Sequence, residues 1–402
     1  MRSLCHGSAL LALAVASGCS CGQTTNDVED ADLEDTAQDG GPAACEPANG
    51  GMIELVGERL VSSAARAGVV LLRALVARDG NLRVLYFLPE VPDFGGGTRR
   101  LVSVSPDWRV LWNTEISSVV PTWSATADFA ESPDGWEVFR IEWDSGSQTQ
   151  LWRTVVDDTG GLVSDVLLET IEDPVGSVLE GMAVLRNEGG SPDVYLLRAG
   201  DLFLRRSGTE TAMGAHFERF SRLVGTRSID EATTCLVVRE REKGNLVLLR
   251  LSSVDIVAER AEVLAGGASF NPLPLAGDGT CTLAYYEPDP AHPTGGHVAL
   301  YPRAAEVVGW RGTAPLGLSL LDDGRMAIAA RDPDWPGQTD LWWLQIHEGT
   351  CATPTPALTL PGAQRGVPLG DILALDTAAG PRFVLGGLSG SGEVAFAAPV
   401  VE

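Results

Sequence analysis

Seven short apolar runs recur along this chain at a spacing that few folds can use. They are NLRVLYFLP (81–89), WEVFRIEW (136–143), DVYLLRAG (193–200), TTCLVVRE (233–240), TCTLAYYE (280–287), RMAIAARD (325–332) and PRFVLGG (381–387). All are rich in branched and aromatic residues and bounded by Gly, Pro, Asp or Ser, which predicts β-strands, and helical periodicity is scarce around them. Aligned on Val84, Val138, Val194, Leu236, Leu283, Ala327 and Val384, the runs lie 42 to 57 residues apart. A period of roughly 40 to 50 residues leaves room for about four strands per repeat, the signature of a propeller blade. The expected class is therefore all-β, a β-propeller.

One copy of the repeat is clear enough to parse. ADFAESPDGWEVFRIEWDSGSQTQLWRTVVDDTGGLVSDVLLET (127–170) reads as an inner strand, an Asp134-Gly135 turn, a second strand, a DSGSQ connection, a third strand carrying Leu151-Trp152, a DDTGG turn and an outer strand. Asp-Gly suits a tight hairpin because both residues tolerate positive φ, and it recurs at Asp79-Gly80, Asp278-Gly279 and Asp323-Gly324. Tryptophans in such a repeat are expected to fill the wedge between neighbouring blades, with ligand stacking as the alternative. Seven second strands imply seven four-stranded blades. The chain ends in EVAFAAPVVE, enough for only a third strand, so GMIELVGERL (51–60) is expected to supply the missing fourth and close the ring. A six-bladed ring, with the weak unit around DLFLRRSGTE (201–210) read differently, is the alternative.

SPDGWEVF (132–139), followed by QLWRTVVDDTGG (150–161), resembles the repeat of TolB-like β-propellers. SPDWRVLW (105–112) and LLDDGRMAIA (320–329) are partial copies of the same pattern. The resemblance implies a periplasm-side scaffold that binds other proteins or ligands, and it transfers no catalytic residue.

The N-terminus supplies an address. Arg2, the apolar run from Ala9 to Ala16 and the small residues before Cys19 form the three zones of a secretory signal. The run is well short of the roughly 20 apolar residues of a membrane span. Ala16-Ser17-Gly18-Cys19 resembles the lipobox of bacterial lipoproteins, with Ala16 where that family prefers Leu, and the resemblance implies a lipid on Cys19. Ala14-Val15-Ala16 also fits a cut that would release a soluble chain from Ser17. Ser20 is not the aspartate associated with inner-membrane retention, which by the same resemblance points to the outer membrane. Residues 1–18 are thus expected to be the signal peptide, 19–47 a lipidated, acidic, disordered tether, and 48–402 the propeller. The tether carries Asp27, Glu29, Asp30, Asp32, Glu34, Asp35, Asp39 and Glu46, and no Lys or Arg occurs between Arg2 and Arg59.

A net charge of −25 argues against nucleic-acid partners, which need clustered cations. Beyond Cys5 and Cys19 there are five cysteines, Cys21, Cys45, Cys235, Cys281 and Cys351. Export permits one or two disulfides among them, and the spacings match no zinc pattern. Catalytic signatures mostly fail. GGLSGSG (386–392) lacks the closing glycine and the following helix of a nucleophile elbow, and no H-E-x-x-H occurs. Glu287, Asp289, His292 and His297 share one loop region and could in principle ligate a metal, but its prolines and glycines already account for a long exposed loop. No cofactor, metal or catalytic residue is assigned.

The loop reading extends to other repeats. PEVPDFGGGT (89–98), EPDPAHPTGGH (287–297) and RDPDWPGQTD (331–340) are acidic, proline-stiffened connections between second and third strands. In a propeller these connections project at one rim, so Asp93, Phe94, Glu287, Asp289, His292, Asp334 and Trp335 are the candidate binding face. The expectation is a monomeric, envelope-anchored, non-enzymatic binding or scaffolding protein for a basic protein or a carbohydrate. The alternative is a propeller-type hydrolase or lyase with carboxylates at the channel mouth.

Overall fold

The computed structural model describes residues 53–61, 69–89, 96–119, 126–143, 148–172, 179–186 and 190–217, and beyond these the strands named below with residues 379 and 387. The first strand is β1 (Ile53–Val61). The first sheet follows as β2 (Val70–Val76), β3 (Leu82–Pro89), β4 (Gly97–Val104) and β5 (Val110–Val119). The second is β6 (Ala127–Ser132), β7 (Gly135–Trp143), β8 (Gln148–Val156) and β9 (Leu162–Glu172). The third is β10 (Leu179–Leu185), β11 (Asp193–Arg198), β12 (Asp201–Arg206) and β13 (Thr209–His216). The fourth is β14 (Arg222–Ser228), β15 (Thr233–Arg239), β16 (Leu246–Ser252) and β17 (Ala258–Leu264). The fifth is β18 (Leu275–Ala276), β19 (Cys281–Pro288), β20 (Gly296–Tyr301) and β21 (Arg311–Gly312). The sixth is β22 (Gly317–Leu320), β23 (Met326–Arg331), β24 (Trp342–His347) and β25 (Leu358–Thr359). The last is β26 (Asp371–Thr377), β27 (Gly380–Gly386) and β28 (Glu393–Pro399), completed by β1.

Among the described residues these strands form seven antiparallel four-stranded sheets, each in chain order except the last, which runs β1-β28-β27-β26. The inner strands pack side by side, β2 on β6, β6 on β10, β10 on β14 and β14 on β18; β19 meets β22, β22 meets β26, and β26 returns to β2. The molecule is a β-propeller. Its weakly matching third repeat, around Asp201, forms a sheet of its own.

Packing explains the apolar runs. A second strand lies inside its own sheet and between two neighbouring sheets, so both of its faces are covered. Seven of the eight residues of β3 are accordingly buried, and a run buried on both faces reads as continuously apolar rather than alternating. The wedge between the last and first sheets holds Leu71, Val84, Tyr86, Val384 and Phe396. That between the first and second holds Leu85, Leu101, Phe129, Trp136 and Val138. Cys235, buried in β15, is disulfide-bonded.

Local turn chemistry follows the repeat. Gly135 has φ +125°, and a Cβ there would come 2.4 Å from the Val156 carbonyl oxygen, so only glycine fits the turn. In the DDTGG turn the Asp157 carboxylate accepts hydrogen bonds from the backbone N–H groups of Thr159 and Gly161, both 2.8 Å.

The closing strand is held by more than its ladder. β1 pairs antiparallel with β28 from Ile53 opposite Pro399 to Val61 opposite Glu393. Trp108 of the first sheet takes positive φ (66°), rare for a bulky residue. Its carbonyl accepts the Glu58 N–H at 3.3 Å, and its ring lies 6.0 Å from Phe396 and 4.8 Å from the Arg382 guanidinium. One residue, through its carbonyl and its ring, thus grips β1, β27 and β28.

Candidate binding face

The three acidic loops spring from the same place in their sheets. Pro89 lies opposite Gly97 at the end of the β3–β4 pair, Pro288 opposite Gly296 at the end of β19–β20, and Arg331 opposite Trp342 at the end of β23–β24. Each is therefore a connection between second and third strands. Glu287 is in β19, with its backbone directly opposite His297. Asp93, Phe94, Asp289, His292, Asp334 and Trp335, like Cys19, lie outside the described residues.

Beneath this end of the first two sheets is a charged network that the sequence did not reveal. Arg99, two residues into β4, is fully buried. It donates to Ser117 Oγ at 3.2 Å and to the Ile141 carbonyl at 3.1 Å, and lies 3.5 Å from Glu142 Oε1. Glu142, near the end of β7, also accepts from Arg140 Nε at 2.7 Å, so one carboxylate ties two guanidiniums on different sheets. Arg140 reaches on to both oxygens of Asp165, at 2.7 and 3.1 Å, and stacks 4.9 Å from the Trp152 ring. Burial pushes the Arg99 guanidinium down to about 10, with Glu142 opposing the shift and the Arg140 charge adding to it.

A second link runs between innermost strands. Arg73 of β2 donates to both oxygens of Asp128 of β6, each at 2.7 Å, and also to the Val184 carbonyl of β10. Asp128 in turn accepts the Val184 N–H at 2.6 Å. The pair therefore satisfies backbone groups of a third sheet and binds three inner strands together. Glu169 similarly accepts from Arg198 and Arg205, both at 3.1 Å, across the second and third sheets. Among the described residues no group of three or more His, Cys, Asp or Glu is placed to hold a metal ion.

The network makes stability depend on acid. Burial works against ionisation of Asp165, but hydrogen bonds from Arg140 and Thr154 and the Arg140 charge outweigh it and hold the carboxyl below its ordinary value. A lowered folded pKa gives stability that is present above the unfolded carboxyl range, near pH 4, and lost as pH falls through the folded value. Asp165→Asn should therefore lower the melting temperature at pH 7, with the gap to the parent narrowing as pH falls below the ordinary carboxyl range and through the lowered folded value. A gap that stayed constant across that range would show that the charge contributes nothing.

No family model matches the chain, and no curated protein matches it. Among solved structures it is similar to virginiamycin B lyase from Staphylococcus aureus, with a TM-score of 0.45 and 11% identity over 87% of this chain and 100% of that one. It is similar to the Dos1 propeller, with a TM-score of 0.47 and 7% identity over 87% and 96%. A triple arginine-to-alanine mutant of AofleA from Arthrobotrys oligospora gives a TM-score of 0.39 and 11% identity over 65% and 78%. The likenesses extend to fold alone, and the class of the protein rests on its own strand order.

Proposed function

We propose that the chain is a non-enzymatic binding or scaffolding propeller of the TolB-like kind, exported as a lipoprotein through Cys19 and held at the outer membrane. It presents Asp93, Phe94, Glu287, Asp289, His292, Asp334 and Trp335 to a basic protein or a carbohydrate. The observation that carries this reading is the common root of three acidic, proline-stiffened loops, each between second and third strands of its sheet. Loops with rigidly fixed ends are where binding residues concentrate. The arginine-bound carboxylates below them favour binding over the hydrolase or lyase alternative. Asp128, Glu142, Asp165 and Glu169 are all engaged by guanidinium groups, whereas acid–base catalysis needs carboxylates free to exchange protons with a substrate.

Two readouts test it together. Intact-mass analysis of the mature protein should give an acylated Cys19 as N-terminus, and an unmodified start at Ser17 would contradict the anchor. A photo-cross-linking amino acid in place of Trp335, activated in native envelopes, should give a discrete adduct. Its yield should fall with salt and with Asp289→Asn plus Asp334→Asn. No adduct above the unlabelled control would overturn the loop face whatever the anchor result.

A further inference from the structure

We infer that β9, the outer strand of the second sheet, is an edge that docks an extended, Lys- or Arg-flanked apolar segment of a partner by strand addition. This site is separate from the loop face and does not depend on it. β9 is eleven residues long and outermost in its sheet, and among the described residues no strand pairs with its free edge. An open edge offers a row of backbone donors and acceptors, and proteins usually blunt it with charge, glycine or proline. The other outer strands with described side chains show less apolar surface: β1 exposes Glu54, Gly57, Glu58 and Arg59, β13 exposes Thr209, Thr211, Ala212, Gly214 and His216, and β5 exposes one large aliphatic side chain, Leu111, with Glu115.

The edge of β9 is different. Leu162, Val163, Val166 and Leu167 are exposed by 55, 61, 47 and 41%, and with Leu111 of β5 they are the exposed large hydrophobics among the described residues. Register breaks at Val155/Val156 and Leu151/Trp152 leave Val163 and Leu168 as extra residues on β9. Such bulges sharpen local twist and reset which side chains face outward, here leaving adjacent Leu162 and Val163 both exposed. The head of the strand is acidic, with Asp157 and Asp158 in the preceding turn, whereas Asp165 and Glu169 along the strand are already held by Arg140 and by Arg198 and Arg205.

Charge selects the occupant. A second copy would set the same acidic strand against itself, between chains of net charge −25, and an anionic membrane would be repelled likewise. An extended segment with alternating aliphatic residues and terminal cations matches all three features: the ladder edge, the apolar side chains and the acids around them.

The probe is a synthetic peptide of alternating Val and Thr with Lys at both ends, titrated into the full chain by fluorescence anisotropy. Saturable binding that weakens with salt, with hydrogen-exchange protection confined to β9 amides, is expected. Val163→Lys with Val166→Lys should weaken it roughly tenfold or more without lowering the melting temperature. A peptide with Pro at alternate positions, or with Glu for Lys, should not bind, a comparison that needs no variant protein. Binding undiminished by the double substitution, protection elsewhere, or no saturable binding would overturn the inference. So would a concentration-dependent dimer in sedimentation that the same variant abolishes, because the edge would then belong to a second copy.

Discussion

Deleting residues 51 to 60 is expected to unfold the propeller rather than trim it. The deletion removes nearly all of β1 and its ladder to β28. Val56 and Leu60, opposite Phe396 and Val394, pack against the core between the last and first sheets, and Phe396 and Val394 are themselves fully buried. The deletion also removes the Glu58 N–H bond to Trp108 and the 3.1 Å pair between Arg59 and the buried Glu393. Burial of each aliphatic side chain is worth about 1.5 to 3 kcal/mol, so several kcal/mol are lost from a total of about 5 to 15. The bare edge of β28 adds an aggregation hazard. Melting should fall by about 10 °C or the protein should be recovered only as aggregate. Cooperative melting of the truncated chain at the parent temperature would contradict the role of β1.

The second large effect is at the junction of the first two sheets. Trp136 is 1% exposed; its ring stacks 4.8 Å from the Arg83 guanidinium and lies 5.9 Å from Phe129, and its Nε1 donates to Asp158 at 3.1 Å. On its other side Arg83 meets Trp112 at 5.3 Å, and its ion pair is with Asp79 at 3.0 Å. Trp136→Ala opens a cavity costing about 3 to 5 kcal/mol and strips one aromatic face from a buried cation, worth about 2 kcal/mol more. A total near 5 kcal/mol should be read in denaturant melts. Trp136→Phe, which keeps a ring over Arg83 and loses only volume and the Nε1 bond, should cost less than half as much. Equal losses in the two variants would show that the stacking contributes nothing.

What the sequence disclosed was local or periodic. The doubly covered second strands produced continuous apolar runs, the Asp-Gly turn needed the positive φ found at Gly135, and the unfinished last repeat pointed to residues 51–60, of which the described part, from Ile53, pairs with β28. The tryptophan wedge was legible too, since Trp136 and Trp112 lie in the first junction. The ion network was not. Arg99 and Glu142 lie 43 positions apart, and Arg73 and Asp128 lie 55 apart, so no spacing rule joins them. The available signal was the charge itself: Arg83 interrupts a run otherwise apolar, Arg140 sits in a largely apolar one, and a cation in such a position needs an aromatic or acidic partner across the blade junction. The candidate loops were legible as repeats because their bases share one topological position, although six of their seven named residues lie outside the described residues.

Everything proposed for the loop rim depends on the sheets forming a ring that the N-terminal strand closes. The most direct measurement is a cross-link across that closure. Leu55 and Ala397 are directly opposite in the β1–β28 ladder, a separation that a disulfide spans without backbone movement. With Leu55→Cys and Ala397→Cys in one chain, mild oxidation should join peptides from the two ends of the propeller. The bridge should be lost on reduction, and the oxidised protein should melt above the parent. Two cysteines that stay unbridged and freely alkylated in the folded, oxidised protein would contradict the closure and the ring built on it.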